Sequence, residues 1–474
     1  MLITSISLLL FFLFTDVSAV NETLKKEALE YLKYLDGATC QWFHDNKILE
    51  FQYNANATDE NLQMKNDFSN NNYTIEDRDY PWRDLFDDPE ILRQAFKYGY
   101  LTRLSVYEQS APVSYQINGL VGKMVDIFTN LKNICRYNGT KKCDLTKKEA
   151  KAIFYSSNDL DERNFYWEQI LNGLGKNIKP LYSKYVALSN KYAQFFNFSN
   201  IADSWKNSYE GPPVDQFESV MLKLYDQLAP LYKQMFAFVR KRFYDIYGPS
   251  VVNRTGPIPV TLTGGLVGLD FGNIDLIKPY PNKEAADVTK QLQLQNYTVV
   301  KMAKLCEDFY LSLGLPPMPD TFWKLSQFEE PKDATSTCFT QAYDFYDRKD
   351  YRILACEKVK YSDWLELCHE MGHVKYYMDL KNQPCCYRGP PNGAINEGVA
   401  DVAGLSLSTT ERLSRFGLLE NPCKVDLEVE INRLFLAAID KISFLPFGLI
   451  LDLWRWRLFE GKLVTLILMM NGGS

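Results

Sequence analysis

The stretch His369-Glu370-Met371-Gly372-His373 constrains this chain more than any other. It reads His-Glu-x-x-His, and the pattern has a use in one conformation. On a helix, residues four apart lie on one face, a turn apart. Two imidazoles placed so can hold one metal ion. The Glu beside the first then reaches the metal-bound water as a general base. The sequence has only three histidines, and two of them stand here. Two core histidines on a buried helix are the competing explanation, and that scarcity argues against it.

A hydrolytic zinc site needs a third protein ligand and one open position. Asn396-Glu397-Gly398-Val399-Ala400-Asp401 supplies the ligand from a second helix. Glu397 and Asp401 are again four apart, so one carboxylate binds metal while the other supports a ligating histidine from behind. The residues Gly398, Ala400, Ala403 and Gly404 keep that helix thin enough to approach the first. The expected metal set is His369, His373 and Glu397, backed by Asp401, with Glu370 as the catalytic base. Zinc held there lowers the pKa of its water to about 7, and Glu370 passes the water's proton to the leaving amine. The motif helix is expected to start at Ser362 as N-cap, with Asp363 in its first turn, and to run to about Lys381 before Pro384. Gly372 costs this helix about 1 kcal/mol against Ala, a cost that close approach of another backbone explains.

The rest of the 474-residue chain reads as mostly helical. Apolar residues are 46%, enough for a core, and the net charge of −6 with no long basic block excludes nucleic acid as a partner. Helices are expected over 21–36, 79–100, 121–135, 146–173, 178–196, 213–247 and 286–313. The run 213–247 carries Phe217, Met221, Leu224, Leu228, Leu231, Met235, Phe238 and Phe243 at three- and four-residue steps, a core stripe. The run 256–281 holds five Gly and four Pro and reads as irregular chain. Thr337 to Val359 is the best strand candidate, with Lys349-Asp350 at a turn.

Residues 1–19 read as a secretory signal, with an apolar Leu8–Phe14 core and Val17-Ser18-Ala19 as the cleavage site. Asn-x-Ser/Thr sequons follow at Asn21, Asn56, Asn72, Asn138, Asn197, Asn253 and Asn296, all before the metal motif. They predict a secreted, extracellular glycoprotein. Ten cysteines in such a chain imply disulfides. Cys135 and Cys143 bracket a short turn, and Cys338 and Cys356 flank the strand candidates. Those two pairs are expected, while Cys40, Cys306, Cys368, Cys385, Cys386 and Cys423 stay unassigned. Cys368 adjoins His369, but neighbours on a helix point about 100° apart, so it is expected in the core and not on the metal.

The metal motif and the Glu after it stand in a wider pattern. It includes Leu181-Tyr182-Ser183-Lys184-Tyr185-Val186-Ala187-Leu188-Ser189-Asn190, Ala202-Asp203-Ser204-Trp205 and Gly256-Pro257-Ile258-Pro259. It continues through Asp344-Phe345-Tyr346, Arg348-Lys349-Asp350 and Trp454-Arg455-Trp456-Arg457. In these stretches the chain resembles the angiotensin-converting enzyme family of peptidyl-dipeptidases over about residues 21–461. The resemblance implies a mainly α, two-lobed fold with a deep central cleft and at most a small β-sheet. It implies bound zinc, a peptide substrate, and removal of dipeptides from peptide C-termini.

Three positions depart from the family's pattern. Phe339 follows Cys338 where the family has a transition-state histidine, Leu269 stands where a Gln helps hold the substrate carboxylate, and Asn396 replaces a His. The tail 462–474 diverges, and its apolar part, Leu463 to Met470, is too short to cross a membrane. No membrane anchor is therefore expected in this chain, although a longer form could carry one. The expectation is a peptidase domain over 20–461 that is C-terminally truncated. It would lack the family's last helices, its chloride-site residues, the Lys and Tyr that bind the substrate carboxylate, and a second catalytic His. His44, the third histidine, lies too far upstream to replace that residue by motif. The alternative reading is a zinc-binding but catalytically impaired homologue, or a truncated product acting at most as a binding protein.

Overall fold

The computed structural model describes residues 2–70, 78, 80–102, 104–137, 142–263, 274–283, 287–332, 336–419 and 426–463. In chain order its helices are α1 (Leu2–Ala55), α2 (Asp59–Asn70), α3 (Trp82–Leu85), α4 (Pro89–Thr102), α5 (Leu104–Asn130) and α6 (Lys147–Ser156). They continue as α7 (Leu160–Phe195), α8 (Ile201–Ser208), α9 (Val214–Tyr247), α10 (Val260–Thr263), α11 (Ile274–Ile277) and α12 (Thr289–Leu294). The last are α13 (Val299–Ser312), α14 (Asp320–Leu325), α15 (Tyr361–Asp379), α16 (Gly393–Leu407), α17 (Thr410–Arg415) and α18 (Leu427–Phe459). Two short strands, β1 (Gln341–Asp344) and β2 (Tyr351–Leu354), pair antiparallel with Ala342 opposite Ile353. The fold is mainly α with one small sheet.

Several expected boundaries move, each for a local reason. The helix expected over 21–36 runs on to Ala55, because Gly37 alone does not stop it. The stretch 146–173 is two helices. Thr146 caps α6 in a reciprocal box with Glu149, and Asp159 caps α7 by accepting from the Asp161 and Glu162 amides. Helix α7 then absorbs the separately expected 178–196, passing through Pro180. The run 286–313 breaks between α12 and α13, where Asn296 takes a positive φ of 53° and Thr298 caps the next helix. In 79–100, Phe86 is extended and ends α3. In α9 only Phe217, Met235 and Phe243 of the eight-residue stripe are buried, while Leu224, Leu228 and Leu231 are exposed. Ala229 faces inward at mid-helix, beside Pro230, which interrupts the hydrogen-bond ladder.

The chain forms two compact units. The first takes Met1–Tyr107 and Val288–Pro422, and the second Glu108–Asp287 and Cys423–Ser474. The first holds α15, α16 and the sheet, and its centre is the buried motif helix, with Trp364, Leu367, Met371 and Val374 fully inside. The second is built on α7, α9 and α18, with Met235, Val239, Phe243 and Ile439 in one core cluster. Helix α18 is long and apolar enough to cross a membrane by length and composition, and little of its most apolar stretch is buried.

Four disulfides join described residues. Cys135–Cys143 closes the turn before α6, and Cys338–Cys356 closes the β-hairpin. Cys40–Cys385 ties α1 to the segment after α15, and Cys306–Cys368 ties α13 to α15. Cys368 is thus buried, as a disulfide partner and not as a free packing thiol. Cys386 is a free thiol, and Cys423 lies outside the described residues. Of the sequons, Asn197, Asn253 and Asn296 are exposed and Asn56 is half-buried. Asn72 and Asn138 lie outside the described residues, as does the side chain of Asn21.

Candidate metal centre

Helix α15 starts two residues earlier than its sequence signal. Lys360, extended at φ −141°, occupies the cap position with no side-chain cap, so Ser362 lies inside the helix and donates to Asp363. Asp363 in turn accepts the Lys358 amide at 2.9 Å, which fixes the entry to the helix. Helix α16 has a true side-chain cap, Asn392, which accepts the Ile395 amide at 3.0 Å.

The two helices meet at Gly372. A β-carbon there would stand 2.9 Å from the Ala400 Cα and 2.8 Å from the Tyr310 hydroxyl, so no side chain fits. Tyr310 spans the junction, its hydroxyl donating to the Cys368 carbonyl at 2.7 Å. The tight crossing brings Glu397 over the motif. His369 Nε2 and His373 Nε2 lie 3.1 Å apart, and Glu397 Oε2 lies 3.2 Å from the first and 3.8 Å from the second. On the far side of each ring, His369 Nδ1 meets Asp401 Oδ1 at 3.2 Å and His373 Nδ1 meets Asn396 Oδ1 at 3.1 Å.

These partners decide the tautomers. A carboxylate and an amide oxygen accept, so each Nδ1 carries the proton and each Nε2 presents a lone pair. Two lone pairs and a carboxylate oxygen then face one another, an arrangement that repels itself without a cation between. The spacings suit zinc, because a tetrahedron with bonds of about 2.0–2.1 Å has edges of about 3.3 Å. His373 is already biased to the neutral form by burial and by His369. The residues therefore fit the metal.

Two carboxylates compete for the third position. Donor atoms of His369, Glu370 and His373 also lie within 4.8 Å of one another. Glu397 fits the position better, its Oε2 lying at edge distance from His369 and 3.8 Å from His373. Glu370 is buried, and the Ala342 amide of β1 faces its carboxylate and favours the charged form. Burial pushes that carboxyl up to about 8, with Glu366 and Glu397 adding repulsion and the Ala342 amide opposing them.

Sequence spacing alone did not reveal several neighbours of this site. Asn396, noted only as a departure from a pattern, holds His373. Tyr377 stacks on the His373 ring at 6.4 Å between centroids. His44 does not join the metal cluster; its Nδ1 lies 2.6 Å from the Phe345 carbonyl at the end of β1. Phe339 is 72% exposed and Leu269 lies outside the described residues.

Three convergent protein donors with a carboxylate alongside are the pattern of the hydrolytic zinc class. A family model described as angiotensin-converting enzyme matches residues 22–470. An angiotensin-converting enzyme of Haematobia irritans exigua is 34% identical over 444 residues, 92% of this chain and 71% of that protein. One of Theromyzon tessulatum is 32% identical over 453 residues, 94% of this chain and 72% of that protein. One of Mesocricetus auratus is 34% identical over 441 residues, 89% of this chain but 32% of that protein. The chain belongs to the angiotensin-converting enzyme family, and so to the zinc metallopeptidases.

Proposed function

We propose that this chain is a secreted zinc peptidyl-dipeptidase, with His369, His373 and Glu397 as metal ligands and Glu370 as general base. The carrying observation is the convergence of two imidazole Nε2 atoms and Glu397 Oε2 within 3.8 Å, with both Nδ1 atoms already engaged. Zinc bound there would supply Lewis acidity to a scissile carbonyl and make water acidic enough to attack it.

The chain's own residues do the rest. Asp401 and Asn396 hold the imidazoles in the tautomer that leaves Nε2 free. Glu370 takes the attacking water's proton on its carboxylate and returns it to the leaving amine. Phe345 donates to Asp350 across the hairpin, so alternate backbone positions of β1 face β2 while Ala342 faces outward toward Glu370. Among the described residues that outward edge carries no further strand, and it suits an extended peptide lying beside the base.

A second reading rests on Phe339. It offers no hydrogen at the position where the resemblance puts an oxyanion donor, and one such donor contributes about 3 kcal/mol. Zinc binding with weak turnover follows from it. Incubating the purified chain with zinc and a C-terminally free peptide, and following dipeptide release by mass spectrometry, separates the two. Release abolished by Glu370→Gln supports the peptidase reading. One equivalent of zinc without release leaves the second.

A further inference from the structure

The proposed general base lies beside a strand that depends on its surroundings for its position. Ala342, buried on the edge of β1 that faces away from β2, turns its amide toward Glu370, and β1 is half of a two-stranded hairpin whose β2 is bridged to Gln327 on its other side. Such a hairpin is marginal in water by itself. Two residues along β1, Asp344 is buried, and its carboxylate accepts from Arg388 Nη2 at 2.7 and 2.8 Å. Arg388 is fully buried, and its guanidinium also lies 5.0 Å from the Tyr346 ring centroid. Asp344 further accepts the Tyr346 amide at 2.7 Å, so the strand's end is pinned at both side chain and backbone.

Arg388 is itself anchored. It follows Cys385, which is bonded to Cys40 of α1 and donates its amide to Asp36 of the same helix. One turn further along α1, His44 reaches the Phe345 carbonyl. A buried ion pair seldom repays its desolvation in stability, so a fully buried Arg–Asp pair invites a role beyond stability.

We propose that Asp344 and Arg388 are positioning residues of the reaction. Their buried pair fixes the register of β1 so that the Ala342 amide keeps facing the Glu370 carboxylate. This rests on Glu370 being the base, as proposed above.

The test uses the full chain carrying Asp344→Asn with Arg388→Met, which removes both charges together and leaves neither buried alone. Residue-level hydrogen exchange reads the Ala342 amide without any need for turnover. Exchange at Ala342 should quicken at least about tenfold, while exchange in α15 and the zinc content stay at wild-type values. In turnover, kcat should fall about 10- to 100-fold with KM nearly unchanged, the mark of a displaced reacting group. Should that chain not fold, Arg388→Lys keeps the charge, breaks the two-oxygen contact and is read in the same way. Wild-type exchange at Ala342, or loosening spread equally over α15 and β2, overturns the proposal. If the wild-type chain releases no dipeptide, the peptidase reading fails, and exchange at Ala342 still decides whether the pair holds the strand.

Discussion

Ala400 packs against Gly372 so closely that a β-carbon on the glycine would stand 2.9 Å from its Cα. Gly372→Ala should therefore hurt, although Ala favours a helix interior by about 1 kcal/mol. The obstacle is backbone and cannot swing aside. Overpacking of this kind costs about 1–3 kcal/mol, and the crossing sets where Glu397 meets the imidazoles. The expected outcome is a lower melting temperature and a zinc affinity reduced at least about tenfold, since an outer displacement alone has that effect. Thermal unfolding and chelator competition measure the two.

Asn396 orients His373 from outside the metal set. Replacing it with Leu removes the acceptor and leaves the ring free to turn or to protonate at the wrong nitrogen. Zinc affinity should fall about 10- to 100-fold. Asn396→Asp, which keeps an acceptor and adds charge, should retain the metal. Competition against a chelator of known affinity distinguishes them.

How much of this could be read from the chain alone depends on sequence distance. The proposed ligand set is legible because His369 and His373, and then Glu397 and Asp401, repeat a single helical spacing. The role of Gly372 was legible as a tolerated cost, and Ala400 as one of four small residues on the approaching helix, but which of the four meets the glycine was not. Ala342, Tyr310 and Arg388 reach the site from other elements, and no period connects them to it. The Cys40–Cys385 and Cys306–Cys368 pairs were closed for the same reason, spanning 345 and 62 residues. Helix ends failed where caps compete: Ser362 looks like a cap but sits two residues too late, behind Lys360.

Cys306 and Cys368 join α13 to the residue beside His369. Closing a 62-residue loop stabilises by about 4 kcal/mol on chain-entropy grounds. Replacing both with Ala should lower the denaturation midpoint by a corresponding amount while leaving one equivalent of zinc bound in the folded fraction. Urea unfolding with zinc analysis of the native state checks both halves.

Glu357 gives the stability profile a pH-sensitive component. Burial pushes its carboxyl up to about 7, with the Thr340 hydroxyl opposing and Asp363 and Glu366 adding repulsion. The folded pKa is above the unfolded one, so this group favours folding below about pH 4.5, and that benefit is lost as pH rises through about 7. Glu357→Gln should leave the melting temperature nearly unchanged at pH 4 and raise it by roughly 2 °C at pH 8, after allowance for the group's partial exposure. Scanning calorimetry of both proteins across that range is the check.

The most direct measurement is zinc content by mass spectrometry of the purified, dialysed chain beside its Glu397→Ala variant. One equivalent in the wild type and under about a tenth in the variant is the predicted result, because losing one of three protein ligands removes the closed donor set. No zinc in the wild type, or undiminished zinc without Glu397, would contradict the assignment of His369, His373 and Glu397 as the metal site.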